Sequence, residues 1–182
     1  MLSHLRPAVT LTLFFALLTG LAYPLAVTGA AQAIFPSQAN GSQIVRNGVF
    51  VGSALIGQNW TADKYFHGRP SAVSYDASTS SGSNLGPSAK ALVTQLHDRA
   101  TALGGTNIPA DLVTASGSGL DPDISPAGAL FQVKRVAAAR GIGEDALRQL
   151  IAAHTDGPEL GILGEPRVNV LALNLALDEL KP

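Results

Sequence analysis

Cysteine is absent from the 182 residues, which excludes disulfide staples, thiolate zinc sites and thiol nucleophiles together. Charge is scarce. Asp, Glu, Lys and Arg make up 14% of the chain against 46% hydrophobic residues, whereas soluble domains carry roughly 25% charge. The deficit points to a membrane contribution. Twelve Lys and Arg against thirteen Asp and Glu leave a net charge of −1, and no Lys/Arg-rich run occurs, so phosphate-backbone attraction lacks its source and nucleic acid is not an expected partner. No serine stands in a G-x-S-x-G elbow or a Ser-x-x-Lys motif, and His4, His67, His97 and His154 show no H-E-x-x-H spacing. A serine without a placed base is a poor nucleophile, so an enzymatic reading has no constellation to rest on. His97 and His154 fall in helical segments, where a surface or capping role is expected.

The charges that exist are unevenly placed. Between Arg6 and Arg46 there is none, and Pro7 to Val27 is almost wholly apolar. At 1.5 Å per residue that run spans about 31 Å, close to the hydrocarbon thickness of a bilayer. Pro7 suits the first helical turn, and Pro24 is expected to kink the helix or end it. Ala31-Gln32-Ala33 offers a signal-peptidase pattern, but the run exceeds the usual 7 to 15 residues of a signal peptide core, which favours an uncleaved anchor. Arg6 at one end, with no positive charge before Arg46 at the other, puts the N-terminus in the cytoplasm. Residues 1–34 therefore read as a stub and a transmembrane helix over about 7–27, residues 35–42 as a linker rich in turn formers, and residues 43–182 as one external domain. Ala16, Thr19 and Gly20 are small enough for close helix packing in the membrane.

The external part reads as α+β. Gln43 to Arg46, Asn47-Gly48 and Val49 to Ile56 form a hairpin with a type I′ turn. Gln58 to Pro87 is rich in turn formers and is expected to be ordered loop. Pro87 to Leu103 places Leu92, Leu96 and Leu103 on one stripe, with Val93 and Ala100 beside it, and stops at Gly104-Gly105. Ser125 caps a helix opened by Pro126, with Leu130, Val133 and Ala137 inward, and Glu144 to His154 buries Leu147, Leu150 and Ile151. Val168 to Leu180 fits both strand and helix periods; helix is favoured, with Asn169 as its cap and Asn174, Asp178 and Lys181 on its polar face. A small hairpin or sheet with three to four helices is the expected fold.

Two stretches look chemically loaded. Ala115 to Leu120 is an amide-rich loop that lacks the Gly-Lys-Ser/Thr ending of a P-loop and lies among Asp111, Asp121 and Asp123, so a turn is expected there rather than a phosphate cradle. Asp121, Asp123 and Ser125 begin like a calcium loop, but Pro126 and Gln132 stand where the EF-hand needs Gly and Glu. Capping of the following helix is the simpler expectation for all three.

Six ordered motifs resemble the C subunit of the bacterial Kdp potassium-transporting ATPase, the KdpC family. They are Gly52 to Gln58 (GSALIGQ), Tyr65 to Ala72 (YFHGRPSA), Ser81 to Pro87 (SGSNLGP), Leu112 to Pro126 (LVTASGSGLDPDISP), Arg135 to Arg140 (RVAAAR) and Val168 to Leu177 (VNVLALNLAL), following Leu5-Arg6-Pro7-Ala8. The family's better-known pattern has a second Gly at Ser81, and some members have Asn at Pro122 and Asp123. The resemblance implies a single-pass inner-membrane protein with an external, periplasmic domain. It implies a non-catalytic accessory subunit that joins a channel-like potassium-binding subunit and a P-type ATPase subunit and acts as a catalytic chaperone raising the ATPase's affinity for ATP. ATP and potassium are then handled by those partners, and this chain binds no cofactor itself. Gln58, Tyr65, Arg69, Asn84, Asp121, Asp123 and Asn169 become the candidates for partner contact or loop ordering. The competing reading is an anchored or secreted periplasmic binding module or hydrolase unrelated to transport.

Overall fold

The computed structural model describes residues 2–180, which divide into two compact units between Gln43 and Ile44. The first is helical. Helix α1 (Leu2–Leu17) runs through a π-helical turn (Leu18–Ala22) into α2 (Tyr23–Ile34). Ser3–Ile34 is long and apolar enough to cross a membrane, and none of its most apolar window is buried within the structure. The stretch is longer than the 7–27 expected, and both prolines behave differently from expectation. Pro7 lies inside α1 rather than in its first turn. Pro24 neither ends the helix nor follows a regular turn: Tyr23 N–H bonds the carbonyl of Leu18, five residues back. A proline ring collides with the carbonyl four residues before it, and a widened turn immediately upstream re-aims that carbonyl while the helix continues. Residues 35–42, expected as a linker, include one turn of helix. A short α3 (Pro36–Ala39) begins there, and Asn40 and Gln32 exchange side-chain amide hydrogen bonds of 3.2 Å.

Strands β1 (Gln43–Arg46) and β2 (Val49–Ser53) form the expected hairpin, with β2 ending short of Ile56. Asn47 and Gly48 have φ of 51° and 77°, the double left-handed conformation that a type I′ turn requires and that Asn-Gly tolerates. No helix or strand follows until α4 (Lys90–Leu103). Its start lies three residues beyond Pro87, and it ends on Gly104 in the left-handed region. Its apolar stripe is not buried: no residue of α4 is, and Val93 is 62% exposed. Periodicity names a face, but only a neighbouring element can cover it.

A 3-10 turn (Ala110–Leu112) leads to β3 (Asp123–Ile124), α5 (Pro126–Arg140), α6 (Glu144–Ala153), β4 (Thr155–Asp156), β5 (Arg167–Asn169) and α7 (Val170–Glu179). Ser125 caps α5 by accepting from Gly128 N–H at 2.9 Å, and Asn169 caps α7 by accepting from Ala172 N–H at 3.0 Å. β5 sits between β3 and β4, antiparallel to both, with Asp123 opposite Asn169 and Thr155 opposite Val168. The 168–180 segment thus combines both periods: a short strand turns directly into a helix. α6 packs on α5 and α7. Phe66, Val133, Val136, Leu147, Ile151, Val168, Leu173 and Leu177 form the core, each contributing about 1.5–3 kcal/mol by leaving water. Leu130, expected inward, is exposed on α5.

Asn174 overturns the polar-face assignment for α7. It is fully buried. Its Oδ1 accepts from Phe66 N–H at 2.8 Å and its Nδ2 donates to the Phe66 carbonyl at 2.9 Å. Asn174 shares the buried arc of α7 with Val170, Leu173 and Leu177, so its amide is used to satisfy loop backbone rather than to face solvent. Asp178 does face outward, and Lys181 lies outside the described residues.

Candidate functional site

The long stretch between β2 and α4 has no regular backbone ladder, so its polar groups must find partners one by one. Side chains from α5 and α7 supply them. Gln132, buried on α5, accepts from His67 N–H at 2.8 Å and donates to the His67 carbonyl at 3.0 Å. Asn174 does the same for Phe66, one residue earlier. Arg135 donates to the carbonyls of Asp63 (2.6 Å) and Tyr65 (3.0 Å), and Arg140 to that of Lys64 (2.7 Å). Residues 63–67 are in effect stitched to the helices as an extra strand would be.

Tyr65 sits where these threads meet. Its ring packs on Trp60 with centroids 4.6 Å apart and lies under the Arg140 guanidinium at 4.9 Å, and its hydroxyl donates to Asp178 at 3.1 Å. Arg140 also pairs with Asp178 at 2.6 Å. Burial raises the Tyr65 hydroxyl above its usual pKa, and the Asp178 carboxylate adds to that.

Arg69 organises the next turn. Its guanidinium pairs with Asp121 at 3.0 Å and reaches Thr114 Oγ1 at 3.4 Å, while its carbonyl accepts from the Tyr75 hydroxyl at 2.6 Å. Burial, with the Asp121 charge nearby, pushes the Tyr75 hydroxyl up to about 12. Ser71 Oγ donates to the Gly119 carbonyl at 2.7 Å and Ser116 N–H to the Pro70 carbonyl at 3.0 Å, so the amide-rich loop is packed against the 70–82 segment. Gly57 marks a second close approach. Its N–H donates to the Leu120 carbonyl at 2.8 Å, and an added Cβ there would lie 2.3 Å from the Asp121 carbonyl oxygen.

The two aspartates do not cap α5. Asp121 accepts from Asp123 N–H at 3.1 Å besides holding Arg69, and Asp123 accepts from Asn169 Nδ2 at 3.1 Å and stands 3.5 Å from Arg167. Ser125 alone caps; the carboxylate that reaches the helix start is that of Asp111, which accepts from Ser125 N–H at 2.7 Å. The physical reason is competition: two guanidinium groups and an amide offer the aspartates stronger partners than a helix end already satisfied by a serine. Burial foremost raises the Asp123 carboxyl above the usual carboxylate range, against the Asn169 hydrogen bond that lowers it.

Of the residues singled out from sequence, Arg69, Asp121, Asp123 and Asn169 are thus brought together across the start of the small sheet. Gln58 lies elsewhere, its amide donating to the Val51 carbonyl at 2.7 Å beside Gly52. Asn84 is exposed with φ of 53°. Ala16, Thr19 and Gly20 fall on either side of the start of the π turn, and Thr19 Oγ1 donates back to the Phe15 carbonyl at 2.7 Å. His97 is exposed on α4, and His154 ends α6 with Nδ1 3.0 Å from the Leu150 carbonyl. Sequence reasoning missed Tyr75, Gln132 and Asn174. The last two carried a signal in retrospect, each being an uncharged amide inside an apolar stripe.

One helix suited to a membrane, together with an α+β unit whose charged side chains tie down long loops, fits a class: a single-pass membrane protein with one globular α+β unit. The chain belongs to the KdpC family, the K+-transporting ATPase c chain, whose pattern it matches over residues 5–179. It is similar to the potassium-transporting ATPase KdpC subunit of Caulobacter vibrioides, 60% identical over 189 residues covering 100% of this chain and 96% of the relative. The subunit of the same name from Gemmatimonas aurantiaca is 57% identical over 188 residues, covering 99% and 94%. That of Rhodopseudomonas palustris is 56% identical over 199 residues, covering 100% of both chains.

Proposed function

We propose that this chain is the non-catalytic accessory subunit of an ATP-driven potassium uptake complex, assembling with a channel-like potassium-binding subunit and a P-type ATPase subunit and raising the ATPase's affinity for ATP. The observation that carries the reading is the family match from residue 5 to residue 179, which includes the apolar helix as well as the globular unit. The N-terminus lies in the cytoplasm and residues 43–182 lie outside, because Arg6 has no positive counterpart until Arg46. ATP and potassium are handled by the partners. The amide-rich loop supports this: Ser116 is buried with its N–H bonded to the Pro70 carbonyl, and Leu120 N–H donates to Ser118 Oγ, so these two amides are engaged in packing rather than turned to a phosphate.

Two measurements test the proposal. Purification in mild detergent from cells expressing all subunits should yield this chain with two larger membrane proteins; a chain that purifies alone sinks the reading. For topology, the absence of cysteine makes Ser88→Cys a unique label site. A membrane-impermeant maleimide should modify it in intact spheroplasts, and modification only after lysis would invert the orientation.

A further inference from the structure

The globular unit contains a cleft that the accessory role leaves unused. It lies between the 59–75 loop, α4 and α5, with a cavity of about 360 Å³, and a second hollow of about 670 Å³ shares His67, Gln132 and Arg135 as wall. Arg69, Arg99 and Arg135 line the inner cavity, and among the described residues no Asp or Glu does. Asp63 stands only at the outer hollow, beside Lys134.

The charge is unevenly answered. Arg69 has Asp121 at 3.0 Å. Arg99 instead donates to the Val113 carbonyl at 2.8 Å and to the Gln95 side chain at 3.4 Å. Arg135 donates to two backbone carbonyls and to Gln132, with the exposed Asp63 carboxylate no nearer than 4.0 Å. Neutral acceptors orient a guanidinium without cancelling its charge, so among the described residues Arg99 has no carboxylate partner and Arg135 has only the exposed Asp63 at 4.0 Å. Two buried donors in the same wall, Trp60 Nε1 and Arg69 Nε, have no acceptor among the described residues, whereas buried polar groups are nearly always paired. Burial pushes the His67 imidazole below its usual pKa, opposed by the Ala62 carbonyl and assisted by Arg135. Ala102, Leu103 and Leu112 give the cavity an apolar side.

We propose that this cleft binds a carboxylate group on a short hydrocarbon stem, seated between Arg99 and Arg135. Planar guanidinium forks match the two oxygens of a carboxylate, and the apolar side takes the stem. An Asp or Glu side chain of a partner subunit and a free small carboxylate share that chemistry.

The chain's single tryptophan is Trp60, so its emission reports on the cleft directly. Full-length chain in detergent would be titrated with glutarate, with glutaramide and inorganic phosphate at matched ionic strength as controls. A saturable emission change specific to glutarate is expected, with half-saturation raised about tenfold or more by Arg99→Gln, since a charge-assisted bond is lost. Lys134→Glu, a charge reversal at the exposed rim, should weaken it several-fold and guards against misfolding of the first variant. Copurification with the other subunits separates the two sources. If a partner side chain fills the cleft, both variants lose the complex; if a free carboxylate does, the complex persists while the glutarate response weakens. An absent glutarate response together with intact copurification of both variants overturns the proposal, as does an equal response to glutaramide or phosphate. Only the copurification arm rests on the accessory-subunit reading, so failure of that reading leaves the titration to stand or fall by itself.

Discussion

At the residue scale, single amides decide whether a thirty-odd-residue loop has a fixed course. Asn174 and Gln132 each pair both groups of one residue's backbone. Asn174→Ala removes both partners of Phe66 at once and leaves a buried N–H and carbonyl unsatisfied. The expected loss is about 2–5 kcal/mol of unfolding free energy, read by chemical denaturation; a loss below about 1 kcal/mol would mean that water replaces the amide. Asp123 makes the opposite case. Its raised pKa means the folded state favours the protonated form. The stability it contributes is fully present below the unfolded value and is lost as pH rises through the folded one. Asp123→Asn keeps an acceptor for Asn169 without the buried charge. The variant should therefore melt higher than the parent at pH 7, with the gap closing as the pH approaches 4. A variant that melted lower than the parent at pH 7, with the deficit shrinking on acidification, would show that the Arg167 pair outweighs burial.

At the element scale, helices of similar length have unlike fates. α5 and α7 bury side chains on several faces, while α4 buries none, although all three carry apolar stripes. The membrane-suited helix keeps its course past Pro24 by widening a turn rather than breaking. Thr19 satisfies its own hydroxyl on Phe15, so packing by this segment relies on the small volumes of Ala16 and Gly20 rather than on a hydrogen bond across helices. A Cβ added at Gly20 would meet nothing within 4 Å, so the position accepts a larger side chain without internal clash. Gly20→Leu should leave membrane insertion intact and reduce copurification with the other subunits severalfold; unchanged recovery would make the helix a tether only.

At the scale of the whole molecule, the proposed effect on ATP affinity requires no nucleotide contact. A subunit that binds one conformation of the ATPase better than another shifts its affinity, and a coupling of about 1–3 kcal/mol corresponds to roughly 5- to 150-fold. Reciprocity demands that ATP tighten the subunit's association by the same factor. Full-length chain alone should show no saturable ATP binding below about the millimolar range by calorimetry. Micromolar binding lost on substitution of Ser116 to Gly119 would restore a direct nucleotide role.

The amino-acid sequence by itself determined whatever depends on neighbours along the chain. The Asn47-Gly48 turn, the Ser125 and Asn169 caps and the helix stop at Gly104 all rest on contacts within a few residues, and all are found where the pattern places them; the apolar run is helical too, over a longer stretch than expected. The ordered motifs added the family, because their succession is itself a property of the sequence. Only the tertiary structure decided which faces are covered and which charges meet. Arg69 finds Asp121 across 52 positions, Asn174 finds Phe66 across 108, and Arg46 finds Glu179 across 133. The stripe of α4 stays open while the amide of α7 is enclosed. Burial and long-range pairing depend on how elements pack, and hydrophobic periodicity carries no term for that: it states which face of a helix is apolar and leaves open what lies against it.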